Sequence, residues 1–361
     1  MAESSASGFS KPPVSRVLVT GGAGFIGANF LNLLVPRFPE VEFTNLDALT
    51  YAGNLASLAL LEPLPNYRFV QLDLVEAEAV SQAVEAAKPD WIFHFAAETH
   101  VDRSIRDPER TVQTNVLGTL HLLEAARNLK DFGLFLHVST DEVFGSLGHD
   151  GFFSEETSYD PSSPYSASKA GADHLVRAYG RTFRLPTLVT NCSNNYGPFQ
   201  FPEKLMPVMV LAARDGRPLP VYGDGSNVRD WLFVEDHVRA LWELACRGRR
   251  GETYCIGGRN ERSNLEIVHL IAAAVARRIG KPEAEILKQI EFVTDRPGHD
   301  WRYAIDASKL ERELDWRPTE TVETGVERTV DWYLANGDWV QQVQSGAYRT
   351  WMREHYGEVH A

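Results

Sequence analysis

From Arg16 onward the chain alternates two kinds of hydrophobic pattern. Short, nearly unbroken apolar runs recur: "RVLVT", "EFTNLD", "YRFVQLD", "DWIFHFAA", "LFLHVST" and "PTLVTNCSN". Each is the length of a strand buried on both faces. Between several of them, apolar residues return every third or fourth position, as in "FIGANFLNLLV", "EAEAVSQAVEAAK" and "TVQTNVLGTLHLLEAARNL". That is the spacing of an amphipathic helix. Strands alternating with helices predict an α/β fold with a doubly wound parallel sheet.

After Asn194 the texture changes. "NYGPFQFPEKLMP" is rich in aromatics, Pro and Gly and reads as an ordered loop. Beyond it, short strands ("PLPVYG", "TYCIGG", "IEFVTD") mix with helices ("NLEIVHLIAAAVARRIG", "ETGVERTVDWYLAN"). The pattern predicts a smaller, mixed α/β carboxyl-terminal substrate domain. "WLFVEDHVRALWELA" is expected to return to the first domain. The predicted division is a mobile tail at 1–15, a first domain at 16–193 and about 228–257, and a second at 194–227 and about 258–355.

Composition narrows the class. The 361 residues carry a formal net charge of −13, which argues against a broad nucleic-acid surface. An anionic ligand would need a local cluster of Arg and Lys. The three cysteines, Cys192, Cys246 and Cys255, show no metal-ligand spacing and fit a reducing compartment. The opening "MAESSASGFSKPPVS" lacks an apolar signal core, and no run reaches the ~18–20 apolar residues of a membrane span. The cytoplasm is the expected location.

Gly21, Gly24 and Gly27 lie between the first strand and the first helix. Glycines there permit a tight turn, close approach of backbone to a pyrophosphate, and packing of helix on strand. The helix amino terminus then faces the phosphates. The preceding strand and following helix make this a Rossmann-type dinucleotide site. Asp47, 20 residues beyond Gly27, ends the second strand. A carboxylate there accepts from a ribose hydroxyl and repels a 2′-phosphate, so NAD is expected over NADP. Asp73, closing the third strand, is a weaker candidate for the adenine.

Two further stretches carry chemistry. "PYSASKAGADHLV" places Tyr165 and Lys169 four residues apart on one helix face, opened by Pro164. A phenol titrates near ~10. A neighbouring ammonium and a cationic nicotinamide would lower it and make it a base. "HVSTDEVFG" puts Asp141 and Glu142 directly after Thr140 at the end of an apolar strand. Paired carboxylates in such a place are costly unless the chemistry needs them.

With these residues in view, the chain resembles the extended short-chain dehydrogenase/reductase family through "TGGAGFIG", "HFAAETHVDRS", "TNVLGT" and "YSASK". Within it, "STDEVFG", "NNYGPFQFPEKLMP", "YGDGSNVRDWLFVEDH" and "DRPGHDWRYAID" resemble the dTDP-glucose 4,6-dehydratase family, over about residues 16–333. That resemblance explains the acid pair. A 4,6-dehydratase oxidises carbon 4, removes a proton from carbon 5 and protonates the hydroxyl leaving carbon 6. The last two steps need a base and an acid in opposite protonation states.

The resemblance implies Tyr165 and Lys169 for the oxidation, Thr140 on the carbon-4 oxygen, Glu142 as base and Asp141 as acid. Both carboxyls can face one sugar only if the chain turns at the strand end, and Gly145 suits such a turn. By position in the family pattern the cofactor site also takes Phe25, Ile26, Thr50, Leu74, Phe95, Ala96, Ala97, Thr99, Thr114 and Asn195. The nucleotide sugar is expected against Thr99, Asn194, Lys204, Leu205, Pro220, Tyr222, Arg229, Asn264, Arg296 and His299. Lys204, Arg229 and Arg296 supply the cations for its diphosphate. The family is dimeric through two helices, here around 112–129 and 165–183.

Three positions depart from the family pattern: Phe144 in place of Tyr, Ala48 in place of Lys, and Thr99 in place of Ser. None touches the five catalytic positions. His94, His100 and His299 lack the spacing of a metal site, and His94 reads as a core residue. Among rivals in the same family, an epimerase needs no acid–base pair for elimination, and a decarboxylase or a GDP-mannose dehydratase typically shows Ser-Glu here, without Asp141. A silent NAD-binding protein has no need to keep five catalytic positions together. Thymidine against uridine stays open, as does the final deoxysugar.

Overall fold

The computed structural model describes residues 9–295 and 300–344. Twelve strands run in chain order: β1 (Arg16–Thr20), β2 (Glu42–Asp47), β3 (Tyr67–Gln71), β4 (Trp91–His94), β5 (Leu134–Thr140), β6 (Thr187–Cys192), β7 (Asn194–Tyr196), β8 (Leu219–Tyr222), β9 (Val228–Phe233), β10 (Thr253–Ile256), β11 (Glu261–Ser263) and β12 (Ile290–Val293). Seven of them form one sheet in the order β10-β6-β5-β4-β1-β2-β3. Every pairing in it is parallel. The winding reverses at β1, which lies between β2 and β4. This is the switch point, where open parallel sheets form a crevice at the strands' carboxyl ends.

The central strands β1, β4, β5 and β6 are buried along almost their whole length because helices cover both faces of the sheet, while the edge strand β3 is not. On one face, Trp242 of the Val234–Arg247 helix is fully buried. Its ring stacks on Phe38 at 4.9 Å and on Phe93 at 6.0 Å, and meets Trp91 edge-on at 5.9 Å. On the other face, Leu122, Leu123 and Val176 pack with Leu18, Ile92 and Phe135.

The segment after β6 builds the second core. The expected loop begins as β7 and ends at Leu205, where a helix runs to Asp215. Pro207 lies in that helix's first turn, where no backbone donor is lost. β7, β9 and β11 form a separate three-stranded sheet, and β8 pairs with β12. β9 divides its side chains by the two-residue period of a strand. Leu232 joins the first core, while Trp231 and Phe233 join the second. The return to the first domain is completed by the 234–247 helix and by β10, the seventh strand of the main sheet.

The amino-terminal segment differs from expectation. Residues 1–8 lie outside the described residues, but from Phe9 the chain is held rather than mobile. The Ser10 backbone N–H and hydroxyl donate to the Glu243 carboxylate at 2.6 and 2.7 Å, and the Ser10 carbonyl accepts from the Trp242 indole at 2.8 Å. A buried indole N–H needs an acceptor, and the segment supplies it.

Replacing Trp242 with Ala should remove this shared aromatic packing and destabilise the protein by ~3–5 kcal/mol. Urea unfolding of the two proteins measures it, and a loss under ~1 kcal/mol would mean the cluster relaxes around the gap.

Candidate active site

The carboxyl ends of β1, β2, β4, β5 and β6 open into one cleft with two chambers. The first is lined by Gly21, Gly24, Phe25, Ile26, Gly27, Asp47, Thr50, Asp73, Leu74, Phe95, Ala96, Ala97, Thr99, Thr114, Tyr165, Lys169 and Asn195, all the positions expected around the cofactor. The second is lined by Asn194, Lys204, Leu205, Pro220, Tyr222, Arg229 and Asn264, expected around the sugar nucleotide. Thr99 and Thr140, also expected on the substrate, line the first chamber. Glu142, Asn194, Asn195, Gln200, Glu203 and Lys204 line both, so the chambers meet at Glu142. Arg296 and His299 lie outside the described residues.

The glycine turn is set by close approach. A Cβ on Gly21 would lie 2.6 Å from the Ala96 backbone, and one on Gly27 would lie 2.3 Å from the Gly21 carbonyl. Gly24 caps the Phe25–Leu34 helix and lines the chamber, so the helix's unpaired first N–H groups face it. Asp47 is fixed by backbone N–H groups, Ala23 to one oxygen and Leu49 to the other, each at 2.8 Å. Burial raises its carboxyl above the usual range against those two bonds. The second lone pair of each oxygen suits a ribose hydroxyl. Among the buried polar atoms of residues lining the chamber, Thr114 Oγ1, Ser139 Oγ and Asn194 Oδ1 have no hydrogen-bond partner. Such orphans point to a polar ligand. The residues present therefore fit a dinucleotide.

Asp73, expected near the adenine, lines the chamber but already pairs with Arg110 at 2.6 Å. Arg110 had no sequence signal. It reaches the site from the first turns of a helical stretch that passes through a π-helical turn at Gln113–Leu117. Inside that turn Asn115 clamps the Glu98 backbone through both its N–H and its carbonyl, and donates to Ser168 at 2.8 Å. Such turns mark functional positions in helices.

Tyr165 and Lys169 share one face of the Pro164–Phe183 helix, opened by a Ser163–Ser166 capping box. Both are buried. The lysine donates to the Val138 carbonyl at 2.9 Å. The expected lowering of the phenol rests on Lys169 together with a cationic nicotinamide, and burial opposes it. Burial, and then the charge of Glu142, hold the phenol well above its ordinary range.

Thr140 ends β5, and the chain turns at once into a single 3₁₀ turn, Asp141–Phe144. The Thr140 hydroxyl caps that turn by accepting from the Glu142 N–H at 3.3 Å. Gly145 follows at φ +88°, where a Cβ would lie 2.7 Å from the Asp160 carbonyl. The turn breaks the strand's alternation and brings both carboxyls to the cleft. Their environments differ. Asp141 is 2% exposed, and its Oδ2 has no partner. Burial first, then Glu142 and Asp230, push its carboxyl well above the usual range, with Arg229 opposing. Glu142 is only half-buried and lines both chambers.

Arg229 was expected to meet the diphosphate. It lines the second chamber, but its guanidinium donates to the carbonyls of Val228, Asp300 and Trp301 at 2.7–3.2 Å and lies 4.3 Å over the Tyr303 ring. Lys204 stands at the mouth, donating to the Thr99 carbonyl at 3.2 Å. Leu205 opens the following helix, so that helix's amino terminus also faces the second chamber. Phe144 packs against Phe153 and Tyr159, and His94 is satisfied by Thr20 and Thr119. Asp230, Asn191 and His237, each buried behind the site, had no sequence signal, because nothing in spacing brings β6 and β9 to β5.

This fold and cleft define an extended short-chain dehydrogenase/reductase with an added acid pair. A family model described as GDP-mannose 4,6 dehydratase matches residues 18–329. A dTDP-glucose 4,6-dehydratase of Xanthomonas campestris is 55% identical over 344 residues, covering 92% of this chain and 97% of that one. The crystal structure of the Bacillus anthracis dTDP-glucose 4,6-dehydratase in complex with NAD is 46% identical at a TM-score of 0.83, over 91% of this chain and 99% of that one. The Streptomyces venezuelae enzyme of the same name, also with NAD bound, is 44% identical at 0.84 with the same coverage. The chain belongs to the dTDP-glucose 4,6-dehydratase family.

The environment of Asp141 predicts a pH-dependent stability. Its folded pKa lies above the unfolded value of ~3.9, so the folded state binds more protons between the two, and stability falls as pH rises through that window. Asp141→Asn cannot ionise. It should exceed the parent in stability at about pH 7–8, with the gap closing toward about pH 4. Thermal melts across that range measure it, and a pH-independent gap would show that another group is held protonated.

Proposed function

We propose that this protein converts dTDP-glucose to dTDP-4-keto-6-deoxyglucose, as a step in deoxysugar biosynthesis. One observation carries the reading. Two carboxyls share a single turn beside a tyrosine–lysine pair, and the fold gives one of them the environment of a proton donor. An oxidation or epimerisation would use the tyrosine and lysine and leave the carboxyls idle.

NAD in the first chamber would accept hydride from carbon 4 and return it to carbon 6. The chain's own residues do the rest. Gly21, Gly24 and Gly27 admit the pyrophosphate, and Asp47 receives the ribose. Tyr165 takes the proton of the 4-hydroxyl, for which its raised affinity must fall when a cation lies against it. Lys169 supplies fixed positive charge beside it. Thr140 holds the same oxygen. With carbon 4 oxidised, the carbon-5 proton becomes acidic, and Glu142, at the junction of the chambers, removes it. Asp141, kept protonated by burial, gives its proton to the departing 6-hydroxyl, which leaves as water, and Glu142 returns a proton to carbon 5 as carbon 6 is reduced. Lys204 and the helix start at Leu205 receive the diphosphate, and Pro220–Tyr222 wall the base. Arg229, which lines the same chamber, faces the diphosphate and moderates Asp141.

The two domains divide this work, one holding the dinucleotide and the other the sugar nucleotide. A homodimer through the helices around 112–129 and 165–183 is supported by the exposed apolar residues Val112, Leu117 and Phe183. Among the described residues no helix is long and apolar enough to cross a membrane. The three cysteines are unpaired, which fits the cytoplasm.

Substrate deuterated at carbon 4 tests the reading. The product should carry deuterium in its new methyl group without added NADH, and mixed labelled and unlabelled substrate should show no crossover. Glu142→Gln should lower product formation by ~10²–10⁴-fold. Label returned to carbon 4 would indicate an epimerase, and parental turnover by Glu142→Gln would remove Glu142 from the chemistry. UDP-glucose assayed in parallel decides the base.

A further inference from the structure

Behind the site lies a group of buried polar side chains that the reaction above does not use. Asp173 is one helical turn beyond Lys169 on the same helix face and is fully buried, as is His137 on β5. The His137 Nε2 lies between them, 3.4 Å from the lysine ammonium and 3.2 Å from an Asp173 oxygen. The other Asp173 oxygen accepts from the Tyr159 hydroxyl at 2.7 Å and from the Asn191 amide at 3.1 Å. Arg177 donates to that hydroxyl at 2.7 Å. The Asn191 amide also donates to the Thr140 carbonyl at 3.1 Å. Asp173 is thus tied toward Lys169 on one side and toward the strand end bearing Thr140 on the other.

We propose that Asp173 is the buried counter-charge of Lys169 and, with His137 between them, a positioning residue that sets the upper pH limit of the tyrosine–lysine pair. The physical case is charge balance. An ammonium taken out of water loses several kcal/mol of hydration unless a partner compensates it. The groups facing Lys169 are His137 and the Val138 carbonyl from β5, His94 from β4, Cys192 from β6, and Tyr165 and Asp173 from its own helix. Burial lowers both imidazoles, to about 4 for His137, so they are neutral in the working range. Burial raises the Cys192 thiol. Asp173 is left as the carboxylate facing the ammonium. Its own carboxyl is held low against burial by His137, Lys169 and Tyr159. Burial pushes Lys169 down to about 8, and Asp173 is the largest influence opposing that.

This inference rests on the reading of Tyr165 and Lys169 as the oxidation pair, and two measurements keep the two separable. The first needs no substrate. D173N strands a buried ammonium and should lower the melting temperature, while in the K169M background the same change should cost less than half as much. If D173N alone fails to fold, D173N/K169M should fold. An equal loss in both backgrounds, or failure of the double variant, overturns the pairing. The second is the pH profile of product formation. In D173N its alkaline limb should move down by roughly 1–3 pH units, the effect of losing a near opposite charge, and D173E should restore part of it. A parent that makes product, with a limb that D173N leaves in place, counts against Asp173. A parent that makes no product counts against the function and leaves the melting cycle to judge the pair.

Discussion

Everything in this molecule depends on where the parallel strands run out of partners. Inside the sheet each strand's backbone is satisfied by its neighbours, and its side chains are buried on both faces. At the carboxyl ends the ladder stops, and the next few residues must find other partners. Gly21, Asp47, Phe95, Thr140 and Ser193 all follow directly on, or end, such strands. Because the winding reverses at β1, the loops on its two sides part and leave a crevice rather than a packed edge.

Within that crevice the protein separates two chemically similar groups by environment alone. Asp141 and Glu142 are adjacent in sequence, yet one is almost fully buried at the edge of the first chamber and the other reaches both chambers. A single 3₁₀ turn accomplishes this, because it rotates successive side chains by about a third of a turn where a strand would oppose them. The cost of burying a carboxyl is thereby turned to use, since a protonated acid is what a leaving hydroxyl requires.

The second domain does more than add a pocket. Tyr51, on the loop after β2 that lines the cofactor chamber, lies under the Arg103 guanidinium at 3.7 Å and meets Phe201 edge-on at 5.7 Å. Trp339 donates to Ser57 at 2.9 Å. The loop bearing Thr50 is thus packed against the second hydrophobic core. Packing of this kind ties the geometry of one chamber to that of the other.

The local elements were largely written in the chain. Periodicity marked the strands and long helices, because two-sided burial and one-sided burial leave different spacings. Glycine spacing marked the turn, because only an absent Cβ allows the 2.3 Å approach that a side chain at Gly27 would demand. What periodicity does not record is contact between distant segments. It did not distinguish the two faces of β9, and it read residues 9–15 as free when Trp242 and Glu243 hold them. It did not show that Arg229, expected on the diphosphate, is also held by the carbonyls of 228, 300 and 301. It expected the lysine and a cationic nicotinamide together to lower the Tyr165 phenol, and it did not show how strongly burial opposes them. The sequence by itself determined which residue types stand at which strand end. Only the tertiary structure decided which are desolvated and what faces them, because burial and electrostatic pairing are properties of the space between segments that the chain does not bring together until it folds.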